Sequence, residues 1–397
     1  MILCPPVIKP LLISGKSPLE PNINFSENKN MRIEENFRKL FRELEDGHLD
    51  IRERLNRFSK QDSNLSTLLN KEVDKFEAWR FPFMDALAEI VFGLDANQQE
   101  AHKHFIRDSK YFEIVQAAPF YWRIVHKPNG YAGDAHMMNF IYQNQYEGDT
   151  PFGMMLHKHA LATKACESVR NRKTYLFGQI LQKGKGDILS LAAGPAQEIS
   201  EVLKTANAKQ YRFLALDHDM ETLKKFSVTN SNPYFKYALA NAFQIISDNY
   251  LTARPRRFLE RFCSPRKDFN GLRVLISPIK YELNYLKKEE FDLVYSSGLY
   301  DYIMTFPLDD SKGTVALTKN LFNLVKPGGT LIVGNFNHNN PRDLRFIMEY
   351  VYDWRLIYRS EKDMLEFARS IPEKQIKNIQ VENEPLGINY FLKIEKA

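Results

Sequence analysis

The sequence predicts an α/β fold: a doubly wound, mostly parallel sheet with a terminal antiparallel strand pair, preceded by an α-helical domain. Three observations predict it. Before residue 110, apolar residues recur at three- and four-residue spacings with no strand alternation. From Asp187 onward, short apolar runs alternate with helix-compatible stretches. The last two runs, Ile379 to Glu382 and Tyr390 to Ile394, flank Gly387 as a hairpin.

The helical part comes first. Residues 1–30 are rich in Pro, Ser and Asn and read as a flexible tail. Phe37, Leu40, Phe41 and Leu44 mark a helix, as do Ile51, Leu55 and Phe58, and Gly47 either separates the two or bends one. Further helices are expected over Leu65 to Trp79 and over Phe83 to Phe92, the second ending near Gly93. Residues 126–153 concentrate Gly, Pro and Asp between aromatics, the pattern of a linker or a site wall. A domain boundary is therefore placed at 153, with 31–153 a helical domain and its approach loops. From Met154 to Leu181 one long helix is expected, opening a second domain over 154–397.

That second domain begins with its most informative segment. The run Ile188 to Leu191 ends in Ala192, Ala193 and Gly194, and a helix-compatible stretch, Gln197 to Thr205, follows. A strand, tight turn and helix bring a cofactor's polar part close to backbone. The next strand, Tyr211 to Leu216, ends at Asp217, where a carboxylate suits a ribose diol. Turn and acid together predict an adenosine-containing cofactor. Tyr237 to Ala240 precedes Asn241, and Arg273 to Ile276 is an extra strand or part of an insertion over 244–288. Phe291 to Tyr295 runs into Ser296, Ser297 and Gly298; a helix over Gly313 to Val325 follows. Lys326 to Gly329 reads as a turn, Thr330 to Gly334 as a buried strand, and Arg342 to Tyr352 as a helix.

Bulk properties narrow the class. A chain of 397 residues with 44% hydrophobic residues has room for two cored domains. A net charge of +6 is mild, and without a basic stripe nucleic acid is not the expected partner. Cys4, Cys166 and Cys263 are spaced for neither a metal cluster nor a disulfide framework, so no metal is expected and a reducing, cytoplasmic setting is. Met1 to Leu12 is apolar but carries Pro5, Pro6 and Pro10 and no basic flank, so it is not read as a signal peptide. No run approaches the roughly 20 apolar residues of a membrane span.

The order Gly194, Asp217, Asn241, Ser296 to Gly298 and then Lys326-Pro-Gly-Gly329 resembles class I S-adenosylmethionine-dependent methyltransferases over residues 155–397. The resemblance implies a Rossmann-like sheet and S-adenosylmethionine as cofactor. It places Ala192, Ala193 and Gly194 by the methionine part, Asp217 on the ribose, Asn241 and Ala242 by the adenine, and Ser296, Ser297 and Gly298 beside the methyl group. There are departures from the family turn: Ser190 stands in place of an acid, and Ala192 and Ala196 in place of two glycines. The methionine amino group then falls to carbonyls around Ala192 or to an outside carboxylate such as Asp134. Lys127-Pro-Asn-Gly-Tyr-Ala-Gly-Asp134, Val169-Arg-Asn-Arg172, Ser296-Ser-Gly-Leu-Tyr-Asp-Tyr302 and Asp353-Trp-Arg-Leu-Ile-Tyr-Arg359 carry a closer likeness. Over 115–395 they resemble bacterial methyltransferases associated with making 3-hydroxypalmitic acid methyl ester, an extracellular signalling factor.

The activity this implies is methyl transfer to a carboxyl or hydroxyl of a fatty-acyl or other small-molecule acceptor. The alternatives are an RNA or protein methyltransferase of the same fold and a non-catalytic S-adenosylmethionine-binding regulator. In-line displacement at a sulfonium carbon needs alignment and exclusion of water. A carboxylate acceptor needs no base, whereas a hydroxyl benefits from one. Tyr131, Asp134, Tyr302 and His338 are the candidate catalytic groups, with loop-fixing or packing roles as their structural alternatives. His126 is a second candidate base. Arg123 and Arg170 are candidates for a carboxylate, and Asn335 and Asn337 for the acceptor pocket. Trp79, Phe81, Phe83 and Met84 would line an apolar acceptor channel if the helical domain acts as a lid. Nothing in the sequence sets the oligomeric state.

Overall fold

The computed structural model describes residues 32–219, 222, 232–240, 242–246 and 286–397. The tail, Asn241 and the run Arg273 to Ile276 lie outside the described residues. Two compact units result. One takes residues 32–132, Gln145–Ala160 and Arg342–Trp354; the other takes Gly133–Asn144, the described part of Leu161–Pro341, and Arg355–Ala397.

The first unit opens with helices α1 (Glu35–Leu55), α2 (Leu65–Phe92), α3 (Ala96–Arg107), α4 (Lys110–Val115) and α5 (Pro119–His126). Phe37, Phe41 and Leu44 of α1 and Leu69, Phe76, Met84 and Leu87 of α2 are buried. Two expected breaks do not occur. Helix α1 runs through Gly47, where an added Cβ would lie 2.1 Å from the Trp79 ring. Glycine at this point lets Trp79 lie against the backbone of α1, so it serves packing and not a turn. Helix α2 runs through Pro82, where two helices were expected. Proline removes one backbone donor, while Arg80, Met84, Leu87 and Val91 keep the same helix buried on both sides of it.

Charge also holds this unit together. Arg80, almost fully buried, pairs with Glu77 at 2.7 Å and faces Asp343 at 3.5 Å, while Glu77 meets His159 at 2.6 Å. Arg342 adds a two-pronged contact to Asp85 at 2.9 and 2.8 Å. These bonds tie residues 342–354, far along the chain, into the helical unit.

The second unit begins at α6 (Ala135–Gln143), a helix not anticipated within the loop-like 126–153 stretch. Asp134 caps it, accepting from the Met137 N–H at 2.8 Å. Helix α7 (Pro151–Ala162), nearly all of it in the first unit, and helix α8 (Lys164–Lys183) of the second replace the single helix expected over 154–181. The chain turns extended at Thr163, with ψ of 152°. Then come β1 (Gly186–Leu191), α9 (Gln197–Val202), β2 (Tyr211–Asp217), β3 (Phe235–Leu239) and α10 (Ala242–Ile246). They are followed by β4 (Phe291–Ser296), α11 (Gly313–Leu324), β5 (Val325–Phe336), α12 (Arg342–Phe346), which belongs to the first unit, α13 (Glu361–Glu366), β6 (Ile376–Asn383) and β7 (Asn389–Lys396).

The seven strands form one sheet in the order β3-β2-β1-β4-β5-β7-β6. The first five are mutually parallel, and β7 runs antiparallel to both β5 and β6. This is the doubly wound, Rossmann-like sheet with a terminal antiparallel pair that the sequence predicts. Central strands buried on both faces read as unbroken apolar runs, and two apolar clusters flank them. One gathers Leu189, Leu191, Val294 and Leu331; the other Ile188, Phe213, Leu293 and Ile332. The expected Lys326–Gly329 turn lies inside β5 as an irregularity: pairing shifts between Phe291 and Leu293, and Gly328 takes φ 75°.

Filling the space at Gly47 should be costly. Gly47→Val is expected to destabilise the protein by about 1–3 kcal/mol through displacement of the Trp79 ring. Urea unfolding of the two proteins checks this; equal midpoints would mean that the ring moves aside freely.

Candidate functional site

Doubly wound sheets bind ligands beyond the carboxyl ends of their strands, where the strand order reverses. Here that point lies between β1 and β4. The turn leaving β1 is unusual, with φ of 54° at Ala192, 52° at Gly194 and 46° at Ala196. Left-handed backbone costs an L-residue with a Cβ roughly 1–2 kcal/mol, so the two alanines adopt the conformation that glycine takes easily. The Ala193 N–H donates to the Leu216 carbonyl at 3.2 Å and the Gly194 N–H to Asp217 Oδ2 at 2.8 Å. The Tyr237 hydroxyl closes the turn from β3, donating to the Gly194 carbonyl at 2.8 Å. A methyl group placed on Gly194 meets nothing within 4 Å. The turn is thus fixed from behind and open in front.

Asp217 is buried and used twice by the backbone. Oδ2 accepts from Gly194, and Oδ1 accepts from the Asp219 N–H at 3.0 Å. A carboxylate has about four acceptor directions, so capacity for two ribose hydroxyls remains. Ala242, expected by the adenine, is half-buried at the start of α10.

At the end of β4, Ser296 is fully buried, with no hydrogen-bond partner for its Oγ among the described residues. Ser297 and Gly298 are half-buried and lead into the Tyr300–Tyr302 turn. Tyr300 points into the core, its hydroxyl 3.0 Å from Thr318 Oγ1. Asp301 is buried; its Oδ1 accepts from the Phe336 N–H at 2.7 Å and thereby joins β4 to β5. Burial pushes its carboxyl up to about 6, against the opposing pull of Arg172, the Phe336 N–H and Arg359. The position where the family turn has an acid holds buried Ser190. A carboxylate nevertheless stands close by: Glu198, from α9, accepts from the Tyr295 hydroxyl at 2.7 Å. Burial holds Glu198 above the usual carboxylate range.

The other predicted residues divide. Asp134 is buried as the cap of α6 and belongs to the second unit, whereas Tyr131 is half-buried and belongs to the first. Tyr302 is 42% exposed. His338 is also exposed, 6.3 Å from the Tyr358 ring. Asn335 and Asn337 are buried, and their amides bond Phe336, Ile357 and Gly387 carbonyls. Arg170 donates to the Leu161 and Ile141 carbonyls. In the helical unit, Met84 is core while Phe81 is 45% exposed. Arg172 and Glu198 were not anticipated as site residues, and Asp301 was weighed there against a role in capping a local turn. Each of these buried charges lies in a helix or turn whose burial is legible only after folding.

A separate cavity of about 480 Å³ lies at the opposite, amino ends of the strands, lined by Lys183, Lys185, Arg212 and Lys326 with Asp187 and Asp292. Its charges pair: Arg212 bonds Asp187, and Lys326 bonds both carboxylates. Among the described residues, no group of three or more His, Cys, Asp or Glu side chains is arranged to hold a metal ion. No described helix is long and apolar enough to cross a membrane.

No protein-family model and no curated protein matches the sequence. Solved structures do. A possible exported protein of Bordetella parapertussis is similar over 85% of this chain and 99% of its own, at 14% identity and TM-score 0.45. The carbon methyltransferase CurJ is similar over 83% of this chain and 71% of its own, at 11% identity and TM-score 0.42. The 1,6-didemethyltoxoflavin-N1-methyltransferase of Burkholderia thailandensis, solved with S-adenosylhomocysteine, is similar over 57% and 77%, at 13% identity and TM-score 0.33. Likenesses this loose carry no argument about activity.

The buried Asp301 carboxyl should leave a mark on stability. Its folded value of about 6 exceeds its ordinary 3.8, so its contribution is complete below about pH 4 and lost as pH rises through 6. Asp301→Asn keeps an acceptor for Phe336 and removes the titration. Urea unfolding at pH 4.5 and 7.5 should show the wild type losing roughly 1–3 kcal/mol more than the variant over that interval. Parallel losses would place the titration elsewhere.

Proposed function

We propose that this protein is an S-adenosylmethionine-dependent methyltransferase acting on a small-molecule acceptor. The observation that carries the reading is the bond from the Gly194 N–H to the Asp217 carboxylate. It joins an open left-handed turn on β1 to an acid at the end of β2, next to the point where the strand order reverses. That combination suits an adenosine whose ribose sits on Asp217 and whose amino-acid end lies along Ala192 to Gly194. When bound, the cofactor supplies an activated methyl group on a sulfonium. The chain's own task is then to bind, orient and exclude water. Ala242, with Asn241, borders the adenine in this reading, and Ser296 to Gly298 border the methyl group.

The acceptor we infer is a carboxyl or hydroxyl of a fatty-acyl or similar small molecule, the class to which the motif resemblance points. A carboxylate is ionised at neutral pH, so its methylation requires positioning and not a base. Exposed Tyr302 beyond β4 is the proposed acceptor-side contact, and His338 the proposed base for a hydroxyl acceptor. Tyr131 is proposed as an approach-loop contact, and Asp134 as the residue that fixes its neighbouring helix in place.

Two measurements test this. Asp217→Ala should weaken S-adenosylhomocysteine binding by about 1.5–3 kcal/mol, the value of a charge-assisted bond; unchanged affinity by calorimetry would remove the ribose assignment. Purified protein incubated with methyl-labelled S-adenosylmethionine and an extract of cells lacking the protein should place label in the organic phase, with 3-hydroxypalmitate as the first defined acceptor tried. Label in RNA or protein would overturn the acceptor class but keep the reaction.

A further inference from the structure

Arg172 is the charge in this region with no role so far. It lies on α8, and its side chain is 7% exposed. Neither Nε nor Nη1 has a hydrogen-bond partner among the described residues. Asp301 Oδ2 is 4.0 Å from Nη1, too far for a hydrogen bond. The Tyr142 hydroxyl does bond the guanidinium. A Cβ built on Gly298 would lie 3.2 Å from Nη2, so the guanidinium rests against the backbone at the end of β4. Arg170, two residues earlier, is taken up by main-chain carbonyls. A buried guanidinium with two idle donors is costly unless something accepts from them.

The surrounding charges narrow the choice of partner. Glu198 and Asp301 are both buried and both within electrostatic reach of Arg172. With both ionised, two negative charges stand by Arg172, while Arg359, the other cation that pulls on Asp301, already donates to the Tyr300 and Ile303 carbonyls and to Asn335 Oδ1. A lone anion would gain from the guanidinium but meet both carboxylates. A zwitterion, carrying ammonium beside carboxylate, complements the cluster in both signs. The amino-acid end of the proposed cofactor is such a group, and Ser190 leaves the family's usual acid missing from β1.

We propose, resting on the cofactor reading above, that Arg172 binds the methionine carboxylate of S-adenosylmethionine, with Asp301 facing the neighbouring ammonium. Arg172 is then a binding residue that sets which adenosine compounds the site accepts. An adenosine thioether without the amino-acid end forfeits this contact, and the product S-adenosylhomocysteine keeps it.

The test compares two probes by calorimetry on the full-length protein. S-Adenosylhomocysteine carries the carboxylate, and 5′-methylthioadenosine lacks the amino-acid end altogether. The wild type should prefer the first by roughly tenfold to hundredfold. Arg172→Gln should abolish most of that preference by weakening S-adenosylhomocysteine alone, with 5′-methylthioadenosine affinity unchanged as the sign of an intact fold. Arg172→Lys, which keeps the charge and loses the planar donor set, should restore part of the preference. If the glutamine variant does not fold, the lysine variant decides, and a wild-type preference in it overturns the proposal. The same result in a folded Arg172→Gln overturns it too, and would leave Arg172 for an acceptor carboxylate. A wild type that binds neither probe overturns the cofactor reading itself.

Discussion

One backbone N–H meeting one carboxylate organises the site. The Gly194 to Asp217 bond, 2.8 Å long, runs from the turn after β1 to the end of β2. The turn that carries it has left-handed backbone at Ala192, Gly194 and Ala196. The Ala193 to Leu216 bond and the Tyr237 hydroxyl hold the same turn from two further directions. Strain at two alanines persists because β1, β2 and β3 over-determine the turn. The result is a turn pinned from three strands with open space at Gly194, which is what close approach of a ligand to main chain requires.

A second constraint lies beyond β4, where the unit buries charge with little compensation. Asp301 is held by one backbone N–H and faces Arg172 across 4.0 Å. Glu198 has a tyrosine hydroxyl for a partner. Arg359 shows what a satisfied buried guanidinium looks like in the same unit: it donates to the Tyr300 and Ile303 carbonyls and to Asn335 Oδ1. The contrast separates the two arginines by role. Arg359 fastens the chain after β4 to the end of β5, and Arg172 keeps donors in reserve.

Much of the fold was legible in residue order. The runs from Ile188 to Leu191, Tyr211 to Leu216 and Phe291 to Tyr295 are strands because burial on both faces makes most of their positions apolar, with Ser190, Arg212 and Asp292 the polar exceptions. The hairpin around Gly387 was legible as well, although its strands extend further than their apolar cores, to Ile376–Asn383 and Asn389–Lys396. Errors arose where one residue's local preference was read as decisive. Gly47 was read as separating or bending helices, and a break was expected between Trp79 and Phe83, yet helix packing carries both through. Asp134, weighed as a site contact or a loop-fixing residue, caps a helix that the glycine-rich composition around it concealed.

What the sequence determined by itself is the alternation of buried strands and helices, and with it the turn at Ala192 to Gly194 and the acid at Asp217. These are local facts: an apolar run, small residues and a carboxylate at a strand end. Tertiary structure alone decided which charges share the site. Arg170 and Arg172 are equivalent in composition, but two residues along a helix is about 200° of rotation. One guanidinium therefore meets backbone carbonyls and the other the end of β4. The partners that distinguish them, Gly298 and Asp301, are more than a hundred residues away in sequence, and only the winding of the sheet brings them together.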